Sequence, residues 1–431
     1  MSLLSQRGLT QWKHYPWVVW GLGSLFFFLM YIGRVSIDAY LDTLQKFFQV
    51  GADQVSYLQL GFMVAYVSIQ IPVGALVDRY GPQRLLLVTV SMSMLSLILF
   101  AFSGHFWVAI LSRVILGFSG AFAFICTLKL ATMWFPSSRL GVLSALTQVM
   151  GMLGAAVGVK GSDYLEVLYG WQSTNLIIAS SLFVLAVLVF ILVKEQPKST
   201  IQKNQITSMK DVVEGLKLVL RNPQSWFNAS YAGFIYLPSI VLGELWGTMY
   251  FVNTRGLERG DASTALSLMF IGWAVGGIIM GWLSDRMKRR KPLLYFSSLS
   301  SLAVILIIMY GPQTMSFNLI ELLIVLFGFF NAGLVNSYAI SGELNPKPIA
   351  GLSIAFCNMI SVLFGTFIQV MVGIMLEYNW DGQMMGGKPV YQAGDFQWAM
   401  IWLPLSLGIA FIMACFIKET HCRSWEERQN A

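Results

Sequence analysis

The chain has 431 residues, of which 56% are hydrophobic and only 11% are charged, and its mean hydropathy is +0.66. Ordinary soluble domains carry about 25% charged residues, so this composition excludes a typical soluble enzyme and indicates an integral membrane protein. The formal net charge of +7 is better explained by Lys and Arg in loops between membrane segments than by a nucleic-acid-binding surface.

Apolar runs of roughly 18 to 27 residues recur along the chain, and each is long enough to cross a hydrocarbon core of about 30 Å as a helix. Segment 1 is expected to remain in the mature protein, because it is longer than a signal peptide and contains Arg34. The predicted fold class is an all-α integral membrane protein. The runs predict twelve membrane segments, numbered here in chain order: 17–40, 57–77, 85–104, 107–133, 141–164, 172–193, 226–253, 263–284, 293–311, 317–342, 350–376 and 396–417.

One polar stretch divides the chain near its middle. It predicts an amino-terminal bundle over 1–194, a cytoplasmic linker over 195–224 and a carboxy-terminal bundle over 225–431. Amphipathic spacing over 211–220 predicts a short surface helix within this linker. The four cysteines are scattered without paired spacing, so the sequence suggests neither a disulfide framework nor a zinc site.

Basic residues are distributed unevenly over the loops. If the amino terminus is cytoplasmic, 20 of the 28 Lys and Arg residues fall on the cytoplasmic side and four on the opposite side. Because cytoplasmic loops collect basic residues, both termini are predicted to be cytoplasmic. The remaining four fall inside membrane segments: Arg34, Arg113, Lys129 and Lys160.

The two halves share a motif of the form Gly-x-Leu-x-Asp-Arg, and its two copies lie 207 positions apart. Parallel repeats in a very apolar chain are typical of transporters whose binding site lies between the halves. The motif supplies an acceptor for hydrogen bonds and for a basic side chain at a helix end, and a glycine that permits close helix packing. Its residues are Gly74, Asp78 and Arg79 after segment 2, and Gly281, Asp285 and Arg286 after segment 8.

The motif, with Gly81 following its first copy, resembles the signature of the major facilitator superfamily. The run 113–120 on segment 4 resembles that superfamily's helix 4 motif, whereas Pro82 and Gln83 depart from the usual basic pair. The resemblance implies two six-helix bundles related by a pseudo-two-fold axis. It also implies that helices 1, 4, 7 and 10 line a central cavity and that the motif residues act as a gate during alternating access.

Ionisable residues inside the membrane are the best guide to a site, since each costs about 2.5 to 3.5 kcal/mol even on mild insertion scales. Arg34, Arg113, Lys129 and Glu244 lie several residues inside their segments. Three cations predict a cavity that attracts an anion, and Arg34 is suited to hold a carboxylate or phosphate by two parallel hydrogen bonds. Lys160 is a further candidate for substrate binding.

These residues also have structural interpretations. Arg34 could pair with Asp38 one turn away, Lys129 could extend towards the cytoplasm, and Lys160 could pair with Asp163. Arg113 belongs to the superfamily motif, so a structural or coupling role is expected for it rather than substrate binding.

Glu244 is the leading candidate for proton coupling, with Asp38 and Arg113 as further candidates. Burial and a nearby cation act in opposite directions on a carboxyl, so substrate arrival can change its protonation. The alternative is a Glu244 locked in a permanent salt bridge. Polar and aromatic residues at helical spacing are expected to complete the pocket: Tyr31, Gln59, Tyr66, Trp246, Tyr338 and Asn358.

The run 128–136, with the glycine-rich run 151–155, resembles bacterial nutrient importers of the phagosomal transporter type and related siderophore importers. This resemblance implies import of amino acids, nucleosides or polycarboxylate siderophores across a bacterial inner membrane. The three interior cations favour the last of these, or another small organic acid, and Glu244 predicts proton-coupled symport; we expect a monomer. Alternatives are an importer of amino acids or nucleosides, a drug/proton efflux antiporter, and a sensor. Segment 5 lacks the Gly-Pro pair of many antiporters, which favours import. The sequence shows no nucleotide-binding loop, metal cluster or catalytic constellation, so neither an enzyme nor a cofactor is expected.

Overall fold

The computed structural model of the chain describes residues 14–135, 139–194, 209–312, 314–385 and 388–429. The first part of the predicted linker, 195–208, therefore lies outside the described residues, and so does the side chain of Asp78. The predicted surface helix of the linker is confirmed, because a helix covers Met209–Arg221.

Segments 1 to 4 are helical, and a short helix, Leu41–Phe48, precedes segment 2. Pro72 divides segment 2 into two helices, because a prolyl ring removes a backbone donor and clashes with the preceding turn. Pro82 begins segment 3, where its missing N–H is not needed. The helices are Tyr15–Ala39 for segment 1, Ala52–Gln70 and Val73–Tyr80 for segment 2, Pro82–Ala101 for segment 3 and Phe106–Trp134 for segment 4.

Segments 5 and 6 lie in one helical stretch, Leu140–Leu192, that is broken at Gly170. The backbone of Gly170 has φ 80° and ψ 163°, a conformation that glycine adopts readily because it has no Cβ. The predicted gap between 164 and 172 is therefore a single-residue break instead of a loop.

The carboxy-terminal half contains segments 7 to 12. Segment 7 changes from α-helix to a π-helical turn at Leu242–Trp246, and such turns are frequent at functional sites. A small hairpin pairs Met384–Met385 with Lys388–Pro389 between segments 11 and 12. The helices are Pro223–Val241 and Gly247–Arg255 for segment 7, Arg259–Met287 for segment 8, Lys291–Tyr310 for segment 9, Phe317–Asn331 and Val335–Leu344 for segment 10, Ala350–Asn379 for segment 11, and Ala393–Ala399 and Trp402–Phe416 for segment 12; Trp425–Gln429 follows.

Ten helices in the described part of the chain are long and apolar enough to cross a membrane, and one of them contains both segments 5 and 6. Segments 5 and 6 count as two, and segment 2, which Pro72 divides, adds one more; the total then agrees with the twelve predicted segments. Large apolar side chains such as Phe102, Trp107 and Phe190 are more than two-thirds exposed, as expected of side chains that face lipid.

Both halves begin and end at the same face of the bundle. The Tyr15 hydroxyl donates to the Leu192 carbonyl oxygen at 2.9 Å, and the Gln224 amide donates to the Phe416 carbonyl oxygen at 3.2 Å. We call this face the terminal end, and the face where segment 1 ends and segment 8 begins the far end.

Close helix packing depends on glycines. A Cβ at Gly117 would collide with the backbone of Phe62, one at Gly154 with that of Phe28, and one at Gly328 with that of Met269. These contacts join segments 4 and 2, 5 and 1, and 10 and 8. Between the halves, segment 1 packs on segment 7, segment 2 on segment 11 and segment 5 on segment 8. The last two pairs are equivalent under the exchange of halves that a pseudo-two-fold axis requires.

Candidate functional site

A buried ion pair joins the two halves at the centre of the bundle. Arg34 on segment 1 places Nη2 2.7 Å from Glu244 Oε1 and donates from Nε to Oε2 at 3.0 Å. The Glu244 carboxylate belongs to the π-helical turn of segment 7. Arg34 is 4% exposed and Glu244 is 1% exposed, so this ion pair, with one hydrogen bond and one further close contact, is withdrawn from water.

Two further residues of the amino-terminal half complete the network. Gln59 Nε2 donates to Glu244 Oε2 at 3.0 Å, and Arg113 Nη2 donates to Gln59 Oε1 at 2.7 Å. Arg113 also donates to the carbonyl oxygens of Gly33 and Arg34, at 2.8 and 3.2 Å. Arg113 therefore holds the backbone of segment 1 at the point from which Arg34 projects.

Aromatic rings surround the Arg34 guanidinium. Its carbon lies 5.3 Å from the ring centre of Tyr31, 5.9 Å from that of Phe62 and 5.7 Å from that of Tyr66, within the range of cation–π attraction. With Phe27, Met30 and Gly120, these residues line a recess in the amino-terminal half.

Segments 7 and 10 add tyrosines to this surround. Tyr236 lies close enough to Tyr31, Arg34 and Glu244 to interact electrostatically, and Tyr338 does so with Tyr31. The Tyr338 hydroxyl donates to Asn358 Oδ1 at 3.1 Å. Both halves thus present phenolic hydroxyls near the ion pair.

The structure does not bring all the predicted cations together. A Cβ at Gly23 would lie 2.7 Å from Thr127 Oγ1, which places Lys129 near the level of Gly23. That level is roughly 16 Å from Arg34 along segment 1, at 1.5 Å per residue. The expected gathering of three cations around one substrate is therefore corrected to Arg34 with Arg113 behind it.

Lys160 lies at the far end, where it joins the halves instead of facing Arg34. Its Nζ donates to the Gly260 carbonyl oxygen at 2.7 Å and to Ser263 Oγ at 3.4 Å, and lies 3.9 Å from Asp163. The structural alternative for Lys160, a pair with Asp163, is thus present.

Two more predicted residues have partners that were not expected. The indole N–H of Trp246 donates to the Gln369 carbonyl oxygen at 2.9 Å in a fully buried position, which gives Trp246 a packing role. Asp38 accepts hydrogen bonds from the Thr248 backbone N–H at 3.2 Å and from the Thr248 hydroxyl. Arg34 pairs with Glu244, and the alternative pair with Asp38 is not formed.

A cluster around Arg259 closes the far end. Arg259 Nε lies 3.2 Å from Asp163 and Nη1 lies 3.3 Å from Asp42, while Nη2 donates to the Ala39 carbonyl oxygen. Ser263 Oγ donates to Asp163 at 2.8 Å. One guanidinium of segment 8 therefore holds segments 1 and 5 of the other half.

Comparison with known proteins decides the family. The family model of the Major Facilitator Superfamily matches residues 23–370. The chain belongs to the major facilitator superfamily. It is therefore a multi-pass membrane transport protein rather than an enzyme, as the sequence predicts.

Relatives within this superfamily include transporters of organic anions. The chain is 22% identical to a probable sulfoacetate transporter of Cupriavidus necator over 84% of this chain and 87% of the relative. It is 23% identical to a probable galactarate/D-glucarate transporter of Escherichia coli over 90% and 91%. The fold matches a crystal structure of a bacterial homologue of the human lysosomal transporter Spinster, with a TM-score of 0.76, 14% identity, and coverage of 94% of this chain and 98% of that chain.

The second copy of the superfamily motif is part of an ionic cluster at the terminal end. Arg290 Nη1 lies 2.7 Å from Asp285, and Nη2 lies 2.7 Å from Glu343 on segment 10. Glu419 accepts the backbone N–H groups of Arg290 and Lys291 at 2.8 and 3.0 Å, so the chain after segment 12 caps the start of segment 9.

The other motif residues have different surroundings. Arg79 stacks on Tyr80 and Arg286 on Trp282, at 5.4 and 5.2 Å from the ring centres. A Cβ at Gly74 or Gly281 would meet nothing within 4 Å. The expectation that Gly74 permits close helix packing is therefore wrong for this conformation, in which other glycines make the close contacts.

Two parts of the site were not predicted from the sequence: Tyr236 and the cluster around Arg259. Tyr236 lies eight residues before Glu244, which puts both on one helix face, and this spacing was a usable signal. Arg259 gave no such signal, because a basic residue beside a predicted segment is usually a loop charge.

Proposed function

We propose that this superfamily member is a proton-coupled symporter that imports a small organic anion by alternating access. The observation that carries the proposal is the buried ion pair between Arg34 and Glu244, which spans the two halves. A guanidinium held by a carboxylate offers the same geometry to the carboxylate or sulfonate of a substrate. Substrate and Glu244 then compete for one cation.

Competition for Arg34 links substrate to proton. Ionised Glu244 occupies the edge of the Arg34 guanidinium formed by Nε and Nη2, whereas protonated Glu244 has lost the charge that holds the pair together. Protonation of Glu244 therefore releases Arg34 for the substrate anion, and loss of that proton displaces the anion. Gln59 keeps Glu244 in place, and Arg113 keeps Arg34 in place through the backbone of segment 1.

The halves proposed to move are 1–194 and 225–431, joined by the linker 195–224. In this conformation Arg259 and Lys160 tie them together at the far end. Outward opening requires that these contacts break and that the terminal end close, with the motif residues of segments 2 and 8 as the gate. We propose a monomer in a bacterial inner membrane with both termini cytoplasmic.

The proposed substrate is a small organic acid. The relatives named as probable transporters of sulfoacetate and of galactarate or D-glucarate support this class. A polycarboxylate siderophore would need several cations around one site, and Lys129 and Lys160 lie away from Arg34. Amino acids, nucleosides and exported drugs stay as alternatives that transport assays separate.

Uptake into proteoliposomes tests the proposal. Radiolabelled sulfoacetate, D-glucarate, citrate, leucine and uridine are offered with and without an inward proton gradient. We expect gradient-driven accumulation of an organic acid. Arg34→Lys should abolish it, because lysine keeps the charge and loses the paired donors, while the exposed control Arg139→Lys should transport normally.

Glu244→Gln should stop gradient-driven accumulation and still permit exchange of labelled for unlabelled anion. Accumulation by Glu244→Gln equal to that of the wild type would contradict proton coupling at this residue. Uptake of leucine or uridine alone would replace the anion by another substrate class, and flux of none of the five compounds would favour a sensor or an exporter.

A further inference from the structure

Segments 1 and 7 are joined by two contacts that are one helical turn apart on both helices. Arg34 bonds to Glu244, and four residues further along each helix Asp38 bonds to Thr248. Residues four apart lie on the same helix face, about 5–6 Å from each other. The Asp38 carboxyl is thus the next acidic group after Glu244 towards the far end.

A recess leads from the far end to Asp38. Its lining includes Asp38, Asp42, Thr248, Asn253 and Arg259. The side chains of Asp42 and Arg259 at its mouth are each 27% exposed, whereas Asp38 is 2% exposed. The recess therefore runs between segments 1, 7 and 8 from a surface that water reaches to a buried carboxyl.

The groups around Asp38 leave its charge adjustable. Both hydrogen bonds that the structure gives to its carboxyl come from Thr248 and are neutral. Arg259 and Asp163 act on it from segments 8 and 5 with opposite signs, and Arg34 and Glu244 lie one turn inward as a pair. A buried carboxyl with neutral donors can take up a proton at less cost than one held in a direct ion pair.

We propose that this recess is the proton entry path, and that Asp38 is a second proton-binding carboxyl that loads before Glu244. The proton comes from a hydronium ion in the recess, which leaves as water, and binds a carboxyl oxygen of Asp38. From there it passes across one helical turn to Glu244, and Asp38 becomes ionised again. This inference rests on the proposed proton coupling and adds a residue and a route to it.

Infrared titration of the full-length protein in liposomes, without substrate, tests Asp38 directly. The carbonyl stretching band of protonated carboxylic acids is followed from alkaline pH down to about pH 6, above the range in which exposed Asp and Glu side chains take up protons. We expect the band to grow in the wild type and in Asp261→Asn, an exposed control at the same end. Asp38→Asn should lack one carboxyl's share of it, and Asp38→Glu should restore that share.

Equal band growth in Asp38→Asn and Asp261→Asn would overturn the inference. If Glu244→Gln reduces the band and Asp38→Asn does not, coupling at Glu244 stands and the entry path through Asp38 falls. The route is tested with Asn253→Cys. A bulky thiol reagent at this position should slow band growth after an acid step, compared with wild type labelled only at its native cysteines, and an unchanged rate would exclude this recess as the path.

Discussion

Replacing Glu244 by glutamine tests whether Glu244 competes with the substrate for Arg34 or forms a permanent salt bridge with it. The substitution turns one carboxylate oxygen into an NH₂ group, which cannot accept a hydrogen bond from Arg34. Arg34, which is 4% exposed, is then left with no carboxylate against its Nε and Nη2. Breaking a buried pair from one side costs about 3–5 kcal/mol.

A substrate carboxylate that occupies the vacated donors recovers part of this free energy. If only about 1.4 kcal/mol of it reappears in binding, the dissociation constant falls about tenfold. Titration calorimetry with the anion that gives the largest uptake measures this constant. Glu321→Gln, the same substitution near one end of segment 10, is the matched control and should bind like the wild type. Unchanged or weaker binding by Glu244→Gln, together with a lower Tm, would show that the pair is a lock and refute competition.

Three further predictions concern other parts of the molecule. Arg259→Gln should speed thiol labelling of a cysteine placed in the far-end recess, because it releases the contacts between the halves. The control Arg255→Gln removes hydrogen bonds to carbonyl oxygens of the same half and should not speed labelling; equal rates would contradict the closure. Gly117→Ala should lower the free energy of unfolding by about 1–3 kcal/mol, because the added methyl group overpacks the contact between segments 4 and 2. The measurement is Tm, and the control is Gly161→Ala, where a Cβ meets only a side-chain atom at 3.7 Å. Equal Tm values for the two variants would contradict this. Partial burial raises the pKa of Glu419, but backbone N–H donors outweigh it and hold that pKa below its usual value. Its stabilising effect is therefore present above about pH 4.3 and lost as the pH falls through the lowered pKa, so Glu419→Gln should lower Tm at neutral pH and lose this effect in acid; a Tm difference independent of pH would contradict this origin.

Much of the fold could be predicted because lipid imposes simple rules on sequence. A spanning helix needs an apolar run of fixed length, and the runs located the segments to within several residues. The main departures arise at single residues. Pro72 splits segment 2, and Gly170 replaces a predicted loop between segments 5 and 6. The sequence alone could not show how sharply one residue turns the chain.

The centre of the candidate site was predictable because burying a charge is costly. Arg34 and Glu244 stood out as interior charges, and the structure places them in contact. Two cations share a site only if they lie at the same height along the membrane normal. The sequence gives segment boundaries only to within several residues, so it does not fix that height. The sequence therefore predicts Lys129 and Lys160 beside Arg34, whereas the structure places them at different levels of the bundle.

The most direct test of competition for Arg34 is the number of protons taken up when the anion binds. Titration calorimetry in buffers of different ionisation enthalpy gives this number from the change in observed heat. If the anion displaces Glu244 and Glu244 becomes protonated, binding should take up close to one proton near neutral pH and strengthen as the pH falls. Glu244→Gln should take up none. A wild type that binds the anion with no proton uptake, or with proton release, would contradict the account.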